Sequence, residues 1–169
     1  MTKNKHRGAM SNKQKIIHAF TVRNFKIISY IYANDCVIYY VSKDYSEKFN
    51  IDFDGKVILE VKIKFNFFES LNSYFYPTFK EISNIIPKKI DNHIYPDGCI
   101  CYAPPFRPIY ENWQFIDFVN AVDSMINNYF SKEYIGIGNL TELEHGRKGL
   151  LQYYYLISKK GLKNTKNIL

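Results

Sequence analysis

Apolar and polar positions order the chain into a helix, a series of strands, an aperiodic segment and two further helices. From Ser11 the apolar spacing is helical: Ile16, Ile17, Phe20 and Phe25 share a face, and Ser11 or Asn12 suits the cap. Residues 25–32 and 36–42 are rich in Ile, Tyr and Val and are joined across Ala33-Asn34-Asp35, which predicts a hairpin. Residues 49–53 alternate as a short strand before the Asp54-Gly55 turn. In the next predicted strand, 57–65, Val57, Leu59, Val61, Ile63 and Phe65 lie on one face, with Ile58, Glu60, Lys62 and Lys64 opposite. Residues 66–79 are aromatic and irregular, and Pro77 is expected to end sheet pairing before a short strand at 81–86. Residues 91–107 show no period. After Trp113 a helical stripe runs through Phe115, Phe118, Val119, Val122, Met125, Ile126, Tyr129 and Phe130. Thr141-Glu142-Leu143-Glu144 fits a capping box that opens a last helix through Ile157. The order predicts an α+β fold with helices on one face or end of an antiparallel sheet, in a single domain over 11–157.

Composition and charge narrow the class. The 169 residues are 46% hydrophobic and 17% aromatic, which supplies one core and excludes intrinsic disorder. The net charge of +7 is uneven: residues 1–26 hold seven Lys or Arg and no acid, residues 158–169 hold four Lys and no acid, and 27–157 carries −4. The basic surplus therefore sits in flexible ends, 1–10 and 158–169, and not across a folded surface. Neither a nucleic-acid partner nor a membrane is expected. The first ten residues are polar and basic, unlike a signal peptide. The longest apolar run, near 57–68, is broken by Glu60, Lys62, Lys64 and Asn66. Three cysteines, an odd number, fit a reducing compartment, so the expectation is a soluble cytoplasmic protein.

The chemistry concentrates in His93-Ile94-Tyr95-Pro96-Asp97-Gly98-Cys99-Ile100-Cys101-Tyr102. A cysteine after a glycine turn and beside a histidine suits a nucleophile, although free cysteine also serves as a small buried hydrophobe. Cys36, inside a strand, reads as buried and structural. Cys99 and Cys101 flank Ile100 and, in strand alternation, point the same way. With His93 they make at most three metal ligands at a spacing unlike zinc sites, so no metal is expected. No phosphate-binding glycine loop is present, and no cofactor is expected.

The same stretch resembles the active-site segment of ubiquitin-conjugating enzymes, in which a Tyr-Pro precedes a His motif, a Gly, a hydrophobic residue and the reactive Cys, with a Trp and helices following. Tyr76-Pro77, His93, Gly98, Ile100-Cys101 and Trp113 stand in that order. The His-x-Tyr start and the eight-residue step from His93 to Cys101 are closer to the bacterial ubiquitin-conjugating-like proteins of antiphage operons that signal by cyclic oligonucleotides, as are Gly136, Gly138 and Glu144-His145. The resemblance implies a ubiquitin-conjugating-like fold with an N-terminal helix, a sheet meander, an active-site loop and C-terminal helices. It implies that Cys101 carries an acyl group as a thioester, with His93 supporting and His145 a further candidate. The implied partner is a cGAS-like nucleotide synthase engaged through its C-terminus, with an amine as acceptor. Tyr95 stands where the larger family has an oxyanion-stabilising Asn, so the donor is open among the backbone N–H groups of the 97–101 turn, Asn92 and Tyr95. A non-catalytic binding module of the same fold, and a cysteine hydrolase using Cys101 with His93 or His145, are the alternatives.

Overall fold

The computed structural model describes residues 10–51, 54–68, 76–89, 92–102 and 113–131, all within the unit Met1–Gly136. Helix α1 (Asn12–Val22) opens as its sequence predicts. The Ser11 hydroxyl accepts the Gln14 N–H and the Gln14 side chain accepts the Ser11 N–H, a reciprocal cap that satisfies two otherwise orphaned donors. Ile16, Ala19 and Phe20 are buried, whereas Ile17 faces solvent.

Four antiparallel strands follow in meander order: β1 (Lys26–Tyr32), β2 (Cys36–Asp44), β3 (Lys56–Lys64) and β4 (Thr78–Glu81). Alternation assigns their faces. Val37, Tyr39 and Val41 on β2, Val57, Leu59, Val61 and Ile63 on β3, and Phe79 on β4 are buried under the helices. Tyr40, Glu60 and Lys80 are cross-strand partners on the outer face. The sheet is thus two-sided in character, and its inner face meets α1 and a long helix α3 (Phe115–Phe130). Aromatic rings make this contact: Phe20 lies edge-on to Phe115 at 5.4 Å and at 5.9 Å from Tyr39, and Phe79 stacks with Phe115 at 6.3 Å.

Three local expectations are corrected. Instead of an alternating strand from 49, Ser46–Phe49 forms a single helical turn, α2. Asp44 accepts the Ser46 N–H at 2.8 Å, the Ser46 hydroxyl accepts the Gly55 N–H at 2.8 Å, and Asn50 turns left-handed, so side-chain bonds close a compact turn that alternation alone does not reveal. Phe65 leaves the β3 face for a 3-10 turn and is exposed. The fourth strand runs Thr78–Glu81 and not 81–86. Pro77 introduces this strand: a proline just ahead of a strand withholds no ladder N–H, and its carbonyl accepts the Tyr102 hydroxyl at 2.7 Å. The last predicted helix, through 157, lies outside the described residues.

Helix α3 is held on its polar edge as well as by its apolar stripe. Asn120, Asp123 and Asn127 recur at helical spacing and accept from Arg23 after α1, Lys43 on β2 and Lys48 on α2. Asp123 is the buried member, 5% exposed; its carboxylate also accepts the Tyr45 hydroxyl at 2.7 Å, and Lys43 reaches it at 2.7 Å. Among the described residues, no helix is long and apolar enough to cross a membrane.

Removing Asp123 leaves a nearly buried ammonium and a buried hydroxyl without their acceptor. Asp123→Ala is expected to cost about 3–5 kcal/mol in urea unfolding. Burial, and then Asp123, hold the Tyr45 phenol far above its ordinary range. A raised folded pKa gives stability that is complete below about pH 10 and lost as pH climbs further, because only the unfolded tyrosine ionises there. Tyr45→Phe should therefore flatten the fall of Tm above that pH, leaving the slope from the other raised phenols, Tyr39, Tyr40 and Tyr95. An unchanged slope would contradict this role.

Candidate active site

Within the aperiodic segment, residues 93–101 form a small hairpin. Ile94 and Ile100 pair antiparallel, the Tyr95 N–H donates to the Cys99 carbonyl at 2.9 Å, and the Cys101 N–H donates to the His93 carbonyl at 2.8 Å. Pro96, Asp97 and Gly98 make its turn. The Asp97 carboxylate accepts the Cys99 N–H at 2.9 Å, which holds Asp97 below the usual carboxylate range. The Gly98 N–H returns to the Tyr95 carbonyl at 2.8 Å.

The hairpin is docked on β4 as an extension of the sheet. Lys80 bridges Cys99, the Glu81 N–H donates to the Gly98 carbonyl at 2.8 Å, and the Ile100 N–H donates to the Phe79 carbonyl at 2.8 Å. Alternation then sorts the motif. Ile94 and Ile100, 2% and 6% exposed, enter the core, while Tyr95, Cys99 and Cys101 share the outer face. Cys101 stands opposite His93 in the pairing and diagonal to Tyr95. Beneath it Tyr102 turns inward to Phe118 at 5.6 Å. Phe118 is fully buried and also receives Trp113 at 5.0 Å and Tyr76 at 5.7 Å. The Tyr-Pro, Cys and Trp signals therefore converge on one aromatic support.

Cys101 and Cys99 are half-buried, and Cys36 is buried at 1%. Burial pushes the Cys36 thiol up; burial and the Asp97 contact push Cys99 up. The Tyr95 hydroxyl is hydrogen-bonded to Cys101. That bond, then burial and the Asp97 carboxylate, hold the phenol above its ordinary range. Several of the other donors weighed for an oxyanion are engaged elsewhere. The Gly98, Cys99, Ile100 and Cys101 N–H groups are in turn or ladder bonds, and the Asn92 amide donates to the Pro87 carbonyl at 3.0 Å. The Tyr95 hydroxyl stands at the sulfur. His93 adopts a left-handed backbone, φ 58°, a conformation in which histidine is enriched. His145, Gly136 and Gly138 lie outside the described residues.

Sequence reasoning missed the hairpin because its strands are three residues long and its period is masked by Pro96-Asp97-Gly98. The paired Ile94 and Ile100, equidistant from the turn, were the available signal. Among the described residues no group of three or more His, Cys, Asp or Glu side chains gathers to hold a metal ion. A cleft of about 160 Å³ opens between α1 and the sheet, lined by Ile16, Tyr32, Val37, Tyr39, Ile63 and Phe65; no hairpin residue lines it.

Gly98 has φ 89°, and a Cβ there would sit 2.7 Å from the Glu81 carbonyl oxygen. Gly98→Ala therefore carries a backbone clash and a left-handed penalty together, of order 1–3 kcal/mol for the conformation alone. The expected result is faster hydrogen exchange at Glu81 and Ile100 and a lowered Tm. Unchanged protection at both amides would show that the hairpin does not depend on this contact.

No protein-family model, curated protein or solved structure matches the chain.

Proposed function

We propose that the protein is a ubiquitin-conjugating-like acyl carrier, in which Cys101 holds the C-terminal carboxyl of a partner protein as a thioester and passes it to an amine. The observation that carries this reading is the hairpin itself: a half-buried thiol on a sheet-docked turn, opposite His93, with a tyrosine hydroxyl on its sulfur. The meander with a helix on each side of it in sequence and the motif order of Tyr76-Pro77, His93, Gly98, Cys101 and Trp113 support the same reading.

The chemistry is modest in its demands. The acyl group arrives already activated, so the thiol exchanges into a thioester without a strongly basic partner. When an amine attacks, negative charge collects on the former carbonyl oxygen, and a fixed donor beside the sulfur stabilises it more in the transition state than before. Tyr95 supplies that donor. His93 shapes the strand opposite Cys101 through its carbonyl. The acyl group comes already activated with the partner protein. By the resemblance, that partner is a cGAS-like nucleotide synthase bound through its C-terminus, in the cytoplasm of a bacterium defending against phage.

Co-expression with such a synthase tests the reading. Cys101→Ala should fold normally and lose the covalent adduct. Cys101→Ser should trap an oxyester, because an alkoxide leaves less readily than a thiolate, and Cys99→Ala should retain the adduct. Loss with Cys99→Ala and retention with Cys101→Ala would move the nucleophile by two residues. Tyr95 is 44% exposed, so Tyr95→Phe should spare the fold. Discharge of the thioester to amines should slow by about 10²-fold, the cost typical of one lost oxyanion donor. An unchanged discharge rate would remove Tyr95 from the chemistry.

A further inference from the structure

Strand β1 closes the sheet at the edge opposite the Cys101 hairpin. Its backbone orientation follows from the turn after it. The Ala33 N–H donates to the Cys36 carbonyl at 2.8 Å, and the pairs of Tyr32 with Val37 and Ile31 with Ile38 continue that register. Hydrogen-bonded pairs alternate along an antiparallel ladder, so Ala33, Ile31 and Ser29 bond to β2. The N–H and C=O groups of Tyr30 and Tyr32 therefore point away from β2, and among the described residues no backbone group bonds them. Sheet edges are commonly blunted by charge or proline. Here the only charge of the strand stands at its first residue, Lys26, and Ile28, Ile31 and Tyr32 are 52%, 53% and 62% exposed. A bulge between Ile27 and Ser29 confines the open stretch to 29–32. Its rings already rest on one another: Tyr30 lies edge-on to Tyr32 at 5.6 Å and at 5.5 Å from Tyr39, and Tyr32 lies 6.4 Å from Phe65. Charge decides what suits this edge. Residues 1–34 hold seven Lys or Arg and no acid, and the first carboxylate, Asp35, is paired with Lys64 at 3.2 Å. Lys13 on α1 lies over the Tyr30 ring at 5.2 Å. A second copy pairing edge to edge would set two such acid-free faces together, with Lys13 of each on the same side of the joined sheet; an acidic segment meets no like charge there.

We infer that the β1 edge docks an extended acidic segment of a partner protein, which adds to the sheet as a further strand. The backbone of that segment bonds the N–H and C=O groups of Tyr30 and Tyr32. Its central side chains are apolar and alternate: those on the α1 face lie beside the Tyr30 and Tyr32 rings, and those on the outer face lie beside Ile31. Its flanking carboxylates face Lys13 and Lys26. Main-chain bonds supply affinity, the tyrosines and Ile31 select apolar residues, and the lysines set the sign of the charge. Strands β2, β3 and β4 separate this edge from the Cys101 hairpin. Docking here does not cover the thiol and is independent of the acyl-carrier reading.

The experiment follows amide exchange of the full chain during titration with a probe peptide that has a central Val-Phe-Val-Phe run and glutamates at both ends. With the probe at about ten times its Kd, exchange at the Tyr30 and Tyr32 amides should slow about tenfold, while the Ile31 amide, already in the β2 ladder, changes little. The same probe N-methylated at alternate central residues keeps its side chains and charge but lacks strand donors, and should lose this effect. Lys13 and Lys26 are exposed, so Lys13→Glu with Lys26→Glu should keep Tm and weaken binding of the unmodified probe by about tenfold at low salt. Equal protection by a lysine-flanked probe overturns the acidic class of partner. Binding that leaves Tyr30 and Tyr32 unprotected, or that survives N-methylation, overturns strand addition. Protection that rises with protein concentration alone makes a second copy the occupant and overturns the partner segment. No protection of either amide at any probe concentration overturns the docking edge itself.

Discussion

The arrangement around Cys101 depends on one close backbone approach, where Gly98 meets Glu81 at the end of β4. The Glu81 N–H reaches the Gly98 carbonyl at 2.8 Å, and the space a side chain would occupy is already filled by the Glu81 carbonyl oxygen. From that contact the register follows. The Ile100 N–H donates to the Phe79 carbonyl, Cys99 falls opposite Lys80, and Ile94 and Ile100 enter the core. The outer-face positions of Tyr95, Cys99 and Cys101 are then fixed by alternation, since a slip of one residue would exchange the thiols for the isoleucines. Cys101 gains its position here from ladder hydrogen bonds at the sheet edge, although its segment reads as a loop.

Beneath the hairpin, two kinds of support meet on α3. Phe118 gathers Trp113, Tyr102 and Tyr76, so the residues flanking the reactive segment share a single buried ring. Around the helix, Asn120, Asp123 and Asn127 take Arg23, Lys43 and Lys48 from three other elements. The aromatic contacts bury area without strict direction, whereas the polar row sets the rotation and height of the helix. Helix position and hairpin position are thereby tied, through Phe118, to the same core.

Much of the fold was legible in the sequence wherever one face of an element is buried. The α1 cap at Ser11, the first hairpin across Ala33-Asn34-Asp35, the alternation of β3 and the stripe of α3 follow from period and turn chemistry. Legibility failed where side-chain hydrogen bonds decide the backbone. Ser46 and Asp44 turn a seemingly alternating run into α2, and Pro77 opens β4 instead of closing the sheet. The buried role of Asp123 leaves no mark in the periodic pattern, because its partners lie 80 and 78 residues away. At the site, the motif spacing pointed to Cys101 and named Tyr95 among the oxyanion candidates. It did not show the Tyr95 hydroxyl on the sulfur or Lys80 beside Cys99, because both relations arise from hairpin and sheet register.

The central claim is that this hairpin presents Cys101, and not its neighbour, for acyl transfer. Intact mass and peptide mapping of the wild-type protein, isolated at low pH without reductant after co-expression with a cGAS-like nucleotide synthase as the proposed partner, test it most directly. The account predicts a hydroxylamine-labile adduct on Cys101 whose mass matches the synthase's C-terminal acyl group, with Cys36 and Cys99 unmodified. An adduct confined to Cys99, or three free thiols beside an intact synthase, would contradict it.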